Sequence, residues 1–274
     1  MTHFSIDREK CQRDGICVSE CPVRIIEIKG KGDFPALIEG GEEFCINCGH
    51  CVAVCPNSAF ALSTMTPDQC PPMRQDLLPG AEAVDYLLRS RRSLRTFRDK
   101  AVDRATLGRL IETATYAPSG LNSQPVHWLV IQEKAEVNRL AALVIDWMRL
   151  MIENQSEMAQ TLRFDRVIEA WENGVDRVLR GSPHLIVAHG STSVSHGPNA
   201  CIIALTYLEL AAYSVGLGAC WAGYFNAAAT AYPPMREALA LPAGHQSCGA
   251  MMVGYPTYKY QRIPRRNEPR IVWR

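Results

Sequence analysis

Cysteines are concentrated in one short run, CINCGHCVAVCP, which extends from Cys45 to Pro56. Its cysteines are spaced C-x₂-C-x₂-C-x₃-C, and a proline follows directly. This spacing is typical of a run in which three thiolates bind one cubic iron–sulfur cluster while the fourth binds a second cluster. Thiolates suit this role because they are soft, anionic ligands for iron. A zinc site is the alternative, although zinc usually takes its ligands from two separated pairs.

A matching run, CQRDGICVSECP, lies upstream between Cys11 and Pro22. Aligned on its Cys-Pro end, it has Asp14 where the second ligand of the downstream run is a cysteine. The two runs together resemble a bacterial two-cluster ferredoxin, in which each run contributes its last cysteine to the other cluster. The resemblance implies one cluster held by Cys21, Cys45, Cys48 and Cys51, and a second held by Cys11, Asp14, Cys17 and Cys55.

Asp14 leaves three interpretations of the second cluster open. A carboxylate oxygen is a harder and weaker ligand for this iron than a thiolate. The site would hold a [4Fe–4S] cluster with Asp14 as a ligand, or it would lose that iron and hold [3Fe–4S]. In the third interpretation, Asp14 is only a turn residue before Gly15.

The overall composition argues against several classes of function. The 274 residues include 29 basic and 28 acidic side chains, a formal net charge of +1, so no strong field attracts nucleic acid. The apolar runs are too short to span a membrane, and the N-terminus MTHFSIDREK lacks the apolar core of a signal peptide. We therefore expect a cytoplasmic protein. The remaining cysteines are expected to be buried free thiols, and they are Cys70, Cys201, Cys220 and Cys248.

The pattern of the chain predicts two domains joined by a linker. Residues 1–62 contain both cysteine runs, and a short apolar stretch that predicts a strand follows each of them, at 23–28 and 58–62. Residues 63–80 contain four prolines and a glycine, which is typical of an extended linker. From residue 81 to 274, helices alternate with single strands, which predicts an α+β or α/β domain. Helices are predicted at 81–89, after Asp103 and at 199–215, and strands at 126–131, 185–188, 218–225 and 249–254.

Three stretches of the second domain have groups suited to a flat, phosphorylated cofactor. RRSLRTF, from Arg91 to Phe97, offers forked guanidinium hydrogen bonds to a phosphate, and Ser93 adds a hydroxyl. The loop APSGLNSQP includes Asn122 and Gln124, whose amides both donate and accept hydrogen bonds, as the edge of a flavin ring requires. The small residues of GLGACWAGYF allow the backbone to approach a flat ligand. Each stretch also has a structural explanation: a solvated arginine cluster, an Asx turn or a tightly packed strand.

These three stretches, in this order, resemble the nitroreductase family of FMN flavoproteins over about residues 81–274. The whole chain therefore resembles a ferredoxin–nitroreductase fusion. The resemblance implies an α+β fold with a central, mostly antiparallel sheet flanked by helices. It also implies a homodimer with FMN sites at the subunit interface. The segment NGVDRVLRGSPHLIVAHG, residues 173–190, resembles the fused branch of the family rather than the stand-alone enzymes.

The resemblance also implies roles for individual residues. Arg91, Arg92 and Ser93 match contacts to the FMN phosphate and ribityl chain, and Arg95 matches a basic group at the pyrimidine edge of the ring. A cation at that edge would stabilise negative charge on the reduced flavin. The other matches are the flavin-contacting amide Asn122 with Gln124 in the same loop, the backbone pair Ala222 and Gly223 facing flavin N5, and the second basic phosphate group Arg265 and Arg266. A surface role for one of these last two arginines is equally open.

No residue in the sequence demands the role of nucleophile or general base, which fits chemistry performed by a flavin cofactor. Four histidines are considered as proton donors: His127, His184, His189 and His196. His127 and His184 lie beside apolar strands and are expected to be structural. His196 lies in a loop and is the slightly better candidate.

The implied function is an FMN-dependent oxidoreductase that passes electrons between iron–sulfur clusters and a small organic acceptor. The acceptor classes are nitroaromatics, quinones and activated alkenes. A separate ferredoxin or NAD(P)H is the expected redox donor, and the opposite direction of electron flow is equally compatible with the sequence. The alternative function is a redox-sensing or electron-transfer binding protein without substrate turnover of its own.

Overall fold

The computed structural model of the protein describes residues 3–274. These residues form two compact units. The first unit contains the described residues up to Leu78 together with Leu121–Ser123, and the second contains Pro79–Gly120 together with Gln124–Arg274. Within the described residues, no helix has both the length and the apolar character needed to cross a membrane.

Short elements make up the first unit. Strand β1 (Phe4–Ile6) pairs antiparallel with β4 (Phe60–Leu62), and β2 (Ile26–Glu27) pairs antiparallel with β3 (Ala36–Leu37). The two helices α1 (Ile16–Glu20) and α2 (His50–Ala53) each lie within a cysteine run. The strands predicted at 23–28 and 58–62 are thus present in shortened form. Turns of 3₁₀ helix cover Gly41–Phe44, Pro67–Gln69 and Gln75–Leu77.

The internal repeat in the sequence is also a repeat in the structure. Gly15 directly precedes α1 with a φ of 74°, and Gly49 directly precedes α2 with a φ of 73°. This left-handed backbone favours glycine because a Cβ atom would be strained there. At Gly49 a Cβ atom would in addition lie 2.7 Å from the sulfur of Met65. Each cysteine run therefore makes the same turn into a short helix.

An antiparallel sheet lies at the centre of the second unit. Its strands, in the described part of the chain, are β5 (His127–Ile131), β6 (His184–Ser191), β7 (Gly218–Trp221) and β8 (His245–Gly254), in the order β5-β6-β8-β7. The pairing of β6 with β8 shifts by one residue between Ala188 and His189. The helices are α3 (Ala81–Ser90), α4 (Arg104–Ala114), α5 (Lys134–Glu153), α6 (Glu157–Thr161), α7 (Phe164–Glu172), α8 (Gly197–Ser214), α9 (Gly223–Ala231) and α10 (Pro233–Leu239).

Apolar layers cover both faces of the sheet. Along β6, Leu185 and Val187 belong to one buried cluster with helices α5, α7, α9 and α10, whereas Ile186 and Ala188 belong to another with α4 and α8. The alternation follows from the two-residue period of a strand. Because both faces of β6 are covered, its central residues 185–188 form a continuous apolar run. This arrangement is the α+β architecture predicted from the sequence.

One predicted strand is wrong over its second half. The prediction covered 218–225, but β7 ends at Trp221 and α9 begins at Gly223. Ala222 makes the turn, and its N–H donates to the carbonyl of Ala250 at 2.9 Å. Short apolar runs do not distinguish a strand from a buried helix, and the alanine-rich sequence that follows favours helix.

Candidate cofactor sites

The eight predicted cluster ligands lie around two cavities of the first unit. Cys21, Cys45, Cys48 and Cys51 line one cavity. Cys11, Asp14, Cys17 and Cys55 line the other. Each cavity takes ligands from both cysteine runs because β1 and β4 bring the ends of the unit together. Each cavity therefore has one complete set of predicted ligands.

The first cavity has apolar walls, which include Phe4, Ile26 and Phe60. Burial raises the pKa of the Cys51 thiol to about 12, and burial also raises the pKa of Cys17, at the second cavity, to about 11. Thiolates at these positions need a compensating positive charge, which bound iron would supply in place of the protons. Among residues 3–274 no group of His, Cys, Asp and Glu side chains is arranged to hold a single metal ion. The donor set fits a cluster, in which separate irons take separate thiolates.

Asp14 at the second cavity is exposed and forms a local turn. Its Oδ1 accepts a hydrogen bond from the N–H of Ile16 at 3.1 Å. This bond uses only one carboxylate oxygen, so it is compatible with a ligand role for the other. On the same cavity, the Sγ atom of Cys55 accepts from the N–H of Ala59 at 3.2 Å. Hydrogen bonds to ligand sulfur are one of the factors that set cluster potentials.

In the second unit, the RRSLRTF segment follows α3 and is attached to the sheet. The N–H of Leu94 donates to the carbonyl of Ala219 on β7 at 2.9 Å. The Arg91 guanidinium donates to the Glu209 carboxylate of α8 at 2.6 Å, with side-chain exposures of 25% and 7%. Arg95 is exposed and donates to the Ser93 carbonyl at 3.4 Å. The Glu209 carboxylate therefore balances the charge of Arg91 and fixes the position of its guanidinium.

Ala222 and Gly223 differ in what they offer a ligand. The bond to Ala250 occupies the Ala222 N–H. Gly223 is the first residue of α9, where a helix leaves its backbone N–H groups without partners inside the helix. A Cβ atom built on Gly223 would have no heavy atom within 4 Å. Of the pair implied by the family resemblance, Gly223 therefore has the N–H that a ligand can reach.

The APSGLNSQP loop has an unusual backbone. Leu121, Asn122 and Gln124 have φ values of 53°, 51° and 44°. Asn122 belongs to the first unit, where its amide donates to the carbonyl of Asn47 at 2.9 Å. Gln124 belongs to the second unit, and its N–H donates to the Ser119 hydroxyl at 3.0 Å. The Asn122 amide thus contacts the loop between two predicted cluster ligands.

A cavity of about 350 Å³ opens beside β7 and the start of α9. Two predicted flavin contacts, Arg95 and Gly223, line it together with the aromatic side chains of Trp221 and Tyr224. Sequence reasoning missed the other two arginines of this cavity, which are Arg177 and Arg180. Both lie in the segment 173–190, whose resemblance to the fused branch of the family is the one signal in the sequence that points to them.

The other predicted phosphate contacts lie elsewhere in the second unit. Arg92 lines a separate cavity of about 510 Å³, whose wall includes C-terminal residues from Tyr258 to Ile263. Arg265 and Arg266 are exposed and follow this segment without lining that cavity. The structure therefore does not bring these two arginines to the wall that Arg92 occupies.

The histidines fall into two groups. His184 is buried, and both of its ring nitrogens have partners. Its Nε2 accepts a hydrogen bond from the Val102 N–H at 2.7 Å, and its Nδ1 lies 2.8 Å from the Gln132 carbonyl oxygen. This structural role was expected. His189 forms a cluster with His127 and His245, with ring centroids 4.8 to 5.5 Å apart. Burial, followed by the neighbouring imidazoles, lowers the pKa of His189 to about 4. Sequence reasoning missed this cluster because its members lie on three strands.

The chain belongs to the nitroreductase family, since that family's profile matches residues 88–255. The profile of the 4Fe-4S dicluster domain matches residues 3–56. The chain is also similar to a curated 4-nitrobenzoate reductase of Nocardioides sp. (strain LMS-CY), with 44% identity over 54 residues, or 20% of this chain and 22% of that protein. The chain thus spans about a fifth of the length of that relative. It is a nitroreductase-family protein with a ferredoxin-like dicluster domain, as the resemblance implied.

Solved structures share the fold of the second unit. A nitroreductase with bound FMN from Bacteroides fragilis NCTC 9343 is 20% identical, covers 71% of this chain and 100% of its own, and has a TM-score of 0.56. A second nitroreductase with bound FMN, from Desulfitobacterium hafniense DCB-2, is 22% identical and also has a TM-score of 0.56. The match covers 69% of this chain and 96% of that chain. These similarities confirm the predicted fold class.

Proposed function

We propose that this chain is an FMN-dependent oxidoreductase that exchanges electrons between two iron–sulfur clusters and a small organic acceptor. The observation that carries the proposal is the separation of the predicted ligands into two four-ligand cavities in a nitroreductase-family chain. When bound, clusters transfer single electrons and FMN exchanges one or two, so a single chain holding both joins two kinds of electron carrier.

Residues of the second unit would hold the FMN. We assign the phosphate and ribityl chain to Arg91, Arg92 and Ser93, with the ring beside Arg95 and Gly223. Arg91 can serve although Glu209 binds one of its nitrogens, because a guanidinium has five N–H donors. Gln124, Ala222, Arg265 and Arg266 stay predicted contacts, with Ala222 contributing shape and not an N–H donor. Asn122 belongs to the first unit, and its flavin contact stays a prediction from the family resemblance alone.

A homodimer is part of the proposal. Helix α8 is apolar nearly all round, and Ile202, Ile203 and Tyr207 are 46%, 37% and 39% exposed. An exposed apolar helix face of this kind is suited to a protein partner. A second copy of the chain with the FMN sites at the interface would cover it. The donor would be a ferredoxin or NAD(P)H, and the similarity to a 4-nitrobenzoate reductase supports a nitroaromatic acceptor.

The test is the cofactor content of the protein purified without oxygen, with electron paramagnetic resonance spectra recorded during stepwise reduction. About eight irons and about one FMN per chain would support two [4Fe–4S] clusters with Asp14 as a ligand. About seven irons and a [3Fe–4S] signal in the oxidised sample would show that the Asp14 site loses its iron. Iron without flavin would contradict the proposed function and favour the redox-sensing alternative.

A further inference from the structure

The turn after α7 presents two arginines in a well-defined geometry. The Asp176 carboxylate accepts three backbone hydrogen bonds: Oδ1 from Val178 and Leu179 at 2.8 and 2.9 Å, and Oδ2 from Gly181 at 2.8 Å. Val178 and Leu179 are buried. Arg177 and Arg180 flank this buried pair, and both line the 350 Å³ cavity. The turn therefore holds two guanidinium groups on the cavity wall.

The backbone at Arg180 is strained. Its φ is 61°, and Gly181 directly after it has a φ of 62°. A left-handed conformation is unfavourable for a residue other than glycine because its Cβ atom approaches the following carbonyl oxygen. Strain of this kind concentrates at functional sites, where the surrounding structure holds it in place. Arg180 shares this conformation with Arg163, so the backbone fixes where the side chain begins, and its place on the cavity wall is the distinguishing feature.

The arginines of this cavity, like Arg104 and Arg166 elsewhere in the unit, form no ion pair within the described residues. Within the described residues, none of Arg95, Arg177 and Arg180 has a carboxylate oxygen within 4.0 Å, and no Asp or Glu lines the cavity. By contrast, carboxylate partners are present for Arg91, Arg139, Arg149 and Arg163. The cavity thus collects positive charge that the described chain does not neutralise.

The other walls of the cavity are aromatic or aliphatic. Trp147, Trp221 and Tyr224 line it together with Met158 and Leu162. Aromatic walls suit a flat ring, and a volume of about 350 Å³ lies in the range of small-molecule sites. Guanidinium groups bind carboxylates through forked, charge-assisted hydrogen bonds. Together these features match an aromatic ring that carries a carboxylate.

Resting on the proposed function, we infer that Arg177 and Arg180 bind the carboxylate of an aromatic acceptor, so that the enzyme prefers anionic aromatic acceptors over neutral ones. The FMN phosphate is the other anion to consider. Its predicted contacts Arg91, Arg92 and Ser93 do not line this cavity. Arg95 and Gly223 do line it, so the acceptor would lie next to the residues assigned to the flavin ring.

The experiment compares 4-nitrobenzoate with neutral 4-nitrobenzamide on the holoenzyme. Arg177→Gln and Arg180→Gln should each raise KM for 4-nitrobenzoate about tenfold or more. KM for 4-nitrobenzamide and the FMN content should stay within about twofold of the parent. Arg166→Gln is the matched control, because it removes an exposed arginine of α7 that does not line the cavity. Equal changes for both acceptors, or loss of FMN, would overturn the inference.

Titration calorimetry with benzoate on the same holoenzyme tests the site without turnover. The parent should bind benzoate, and the two glutamine variants should bind it about tenfold or more weakly. Equal affinity in parent and variants would overturn the inference even if nitro reduction is found. Benzoate binding that depends on the arginines, in a protein that reduces no acceptor, would support the anion site and contradict the proposed function. Arg180→Gly removes the guanidinium and suits the left-handed backbone, so it should bind benzoate as weakly as Arg180→Gln while its unfolding midpoint stays near that of the parent.

Discussion

The two units of this protein place their predicted cofactor ligands differently with respect to the core. In the first unit, the buried core itself contains Cys17, Cys21 and Cys51, next to apolar side chains such as Ile25 and Phe60. In the second unit, two apolar clusters cover the sheet, and the arginines assigned to FMN lie outside them. We therefore expect cluster binding and folding to be coupled in the first unit. We expect the second unit, which has an apolar core of its own, to fold without its cofactor.

The largest expected effect comes from removing a ligand of the first cavity. Cys48→Ser should lower the iron content to about half and open the first unit, because binding energy of the cluster is folding energy there. The backbone amides of β4 should then lose their protection from hydrogen exchange, whereas those of β6 should keep it. Iron analysis and exchange mass spectrometry measure both. Cys70→Ser is the control, since this thiol lines neither ligand cavity.

Unchanged iron in Cys48→Ser would refute the assigned ligation. Equal loss of hydrogen-exchange protection in both units would contradict the expectation that only the first unit depends on its clusters for folding. Protection that persists in the first unit despite loss of iron would mean that apolar contacts around Phe60 suffice to hold its fold.

Acid is expected to lower the stability of the second unit by a smaller amount. His189 is 5% exposed, and burial lowers its pKa to about 4, against an ordinary value of 6.5. Between these pH values the unfolded chain binds more protons than the folded chain, so stability is lost as the pH falls from about 6.5 to 4. The loss is at most roughly 3 kcal/mol. Denaturant unfolding of the second unit at several pH values, followed by tryptophan fluorescence, measures it.

His189→Gln should flatten this pH dependence because it removes the group whose pKa differs between the two states. His127→Gln should flatten the pH dependence much less, since exposed His127 is only the smallest of the three causes that lower the pKa of His189. A pH profile that is as steep in His189→Gln as in the parent would show that other groups cause the acid sensitivity.

The smallest effect is expected at the start of α4. The Asp103 carboxylate accepts from the Thr106 N–H and from the Thr106 hydroxyl, both at 2.8 Å, and the backbone bond in particular holds its pKa below the usual range. Asp103→Ala should lower the unfolding free energy of the second unit slightly, because it removes the side-chain cap of α4. Asp103→Asn keeps a capping oxygen and should cost less. Equal losses in the two variants, measured by denaturant unfolding, would mean that charge and not capping matters.

Much of the cluster site could be predicted from the sequence. The ligands lie in two short runs, and Gly15 and Gly49 impose the same turn in each, so the local sequence almost determines where the thiols point. The flavin site was less predictable. The Ala222 N–H is bound to Ala250, and Arg91 is paired with Glu209, which lies 118 residues further along the chain. No local pattern predicts such partners.

The sequence by itself determined the class of the protein, because the cysteine spacing and the three ordered stretches of the second domain are short, contiguous signals. The tertiary structure alone decided which distant side chains meet. The sheet order β5-β6-β8-β7 brings His127, His189 and His245 together. Packing beside β7 places Arg95 on the same cavity as Arg177 and Arg180. Hydrophobic periodicity identifies the buried face of a strand but not its neighbours, so these juxtapositions appear only in the folded chain.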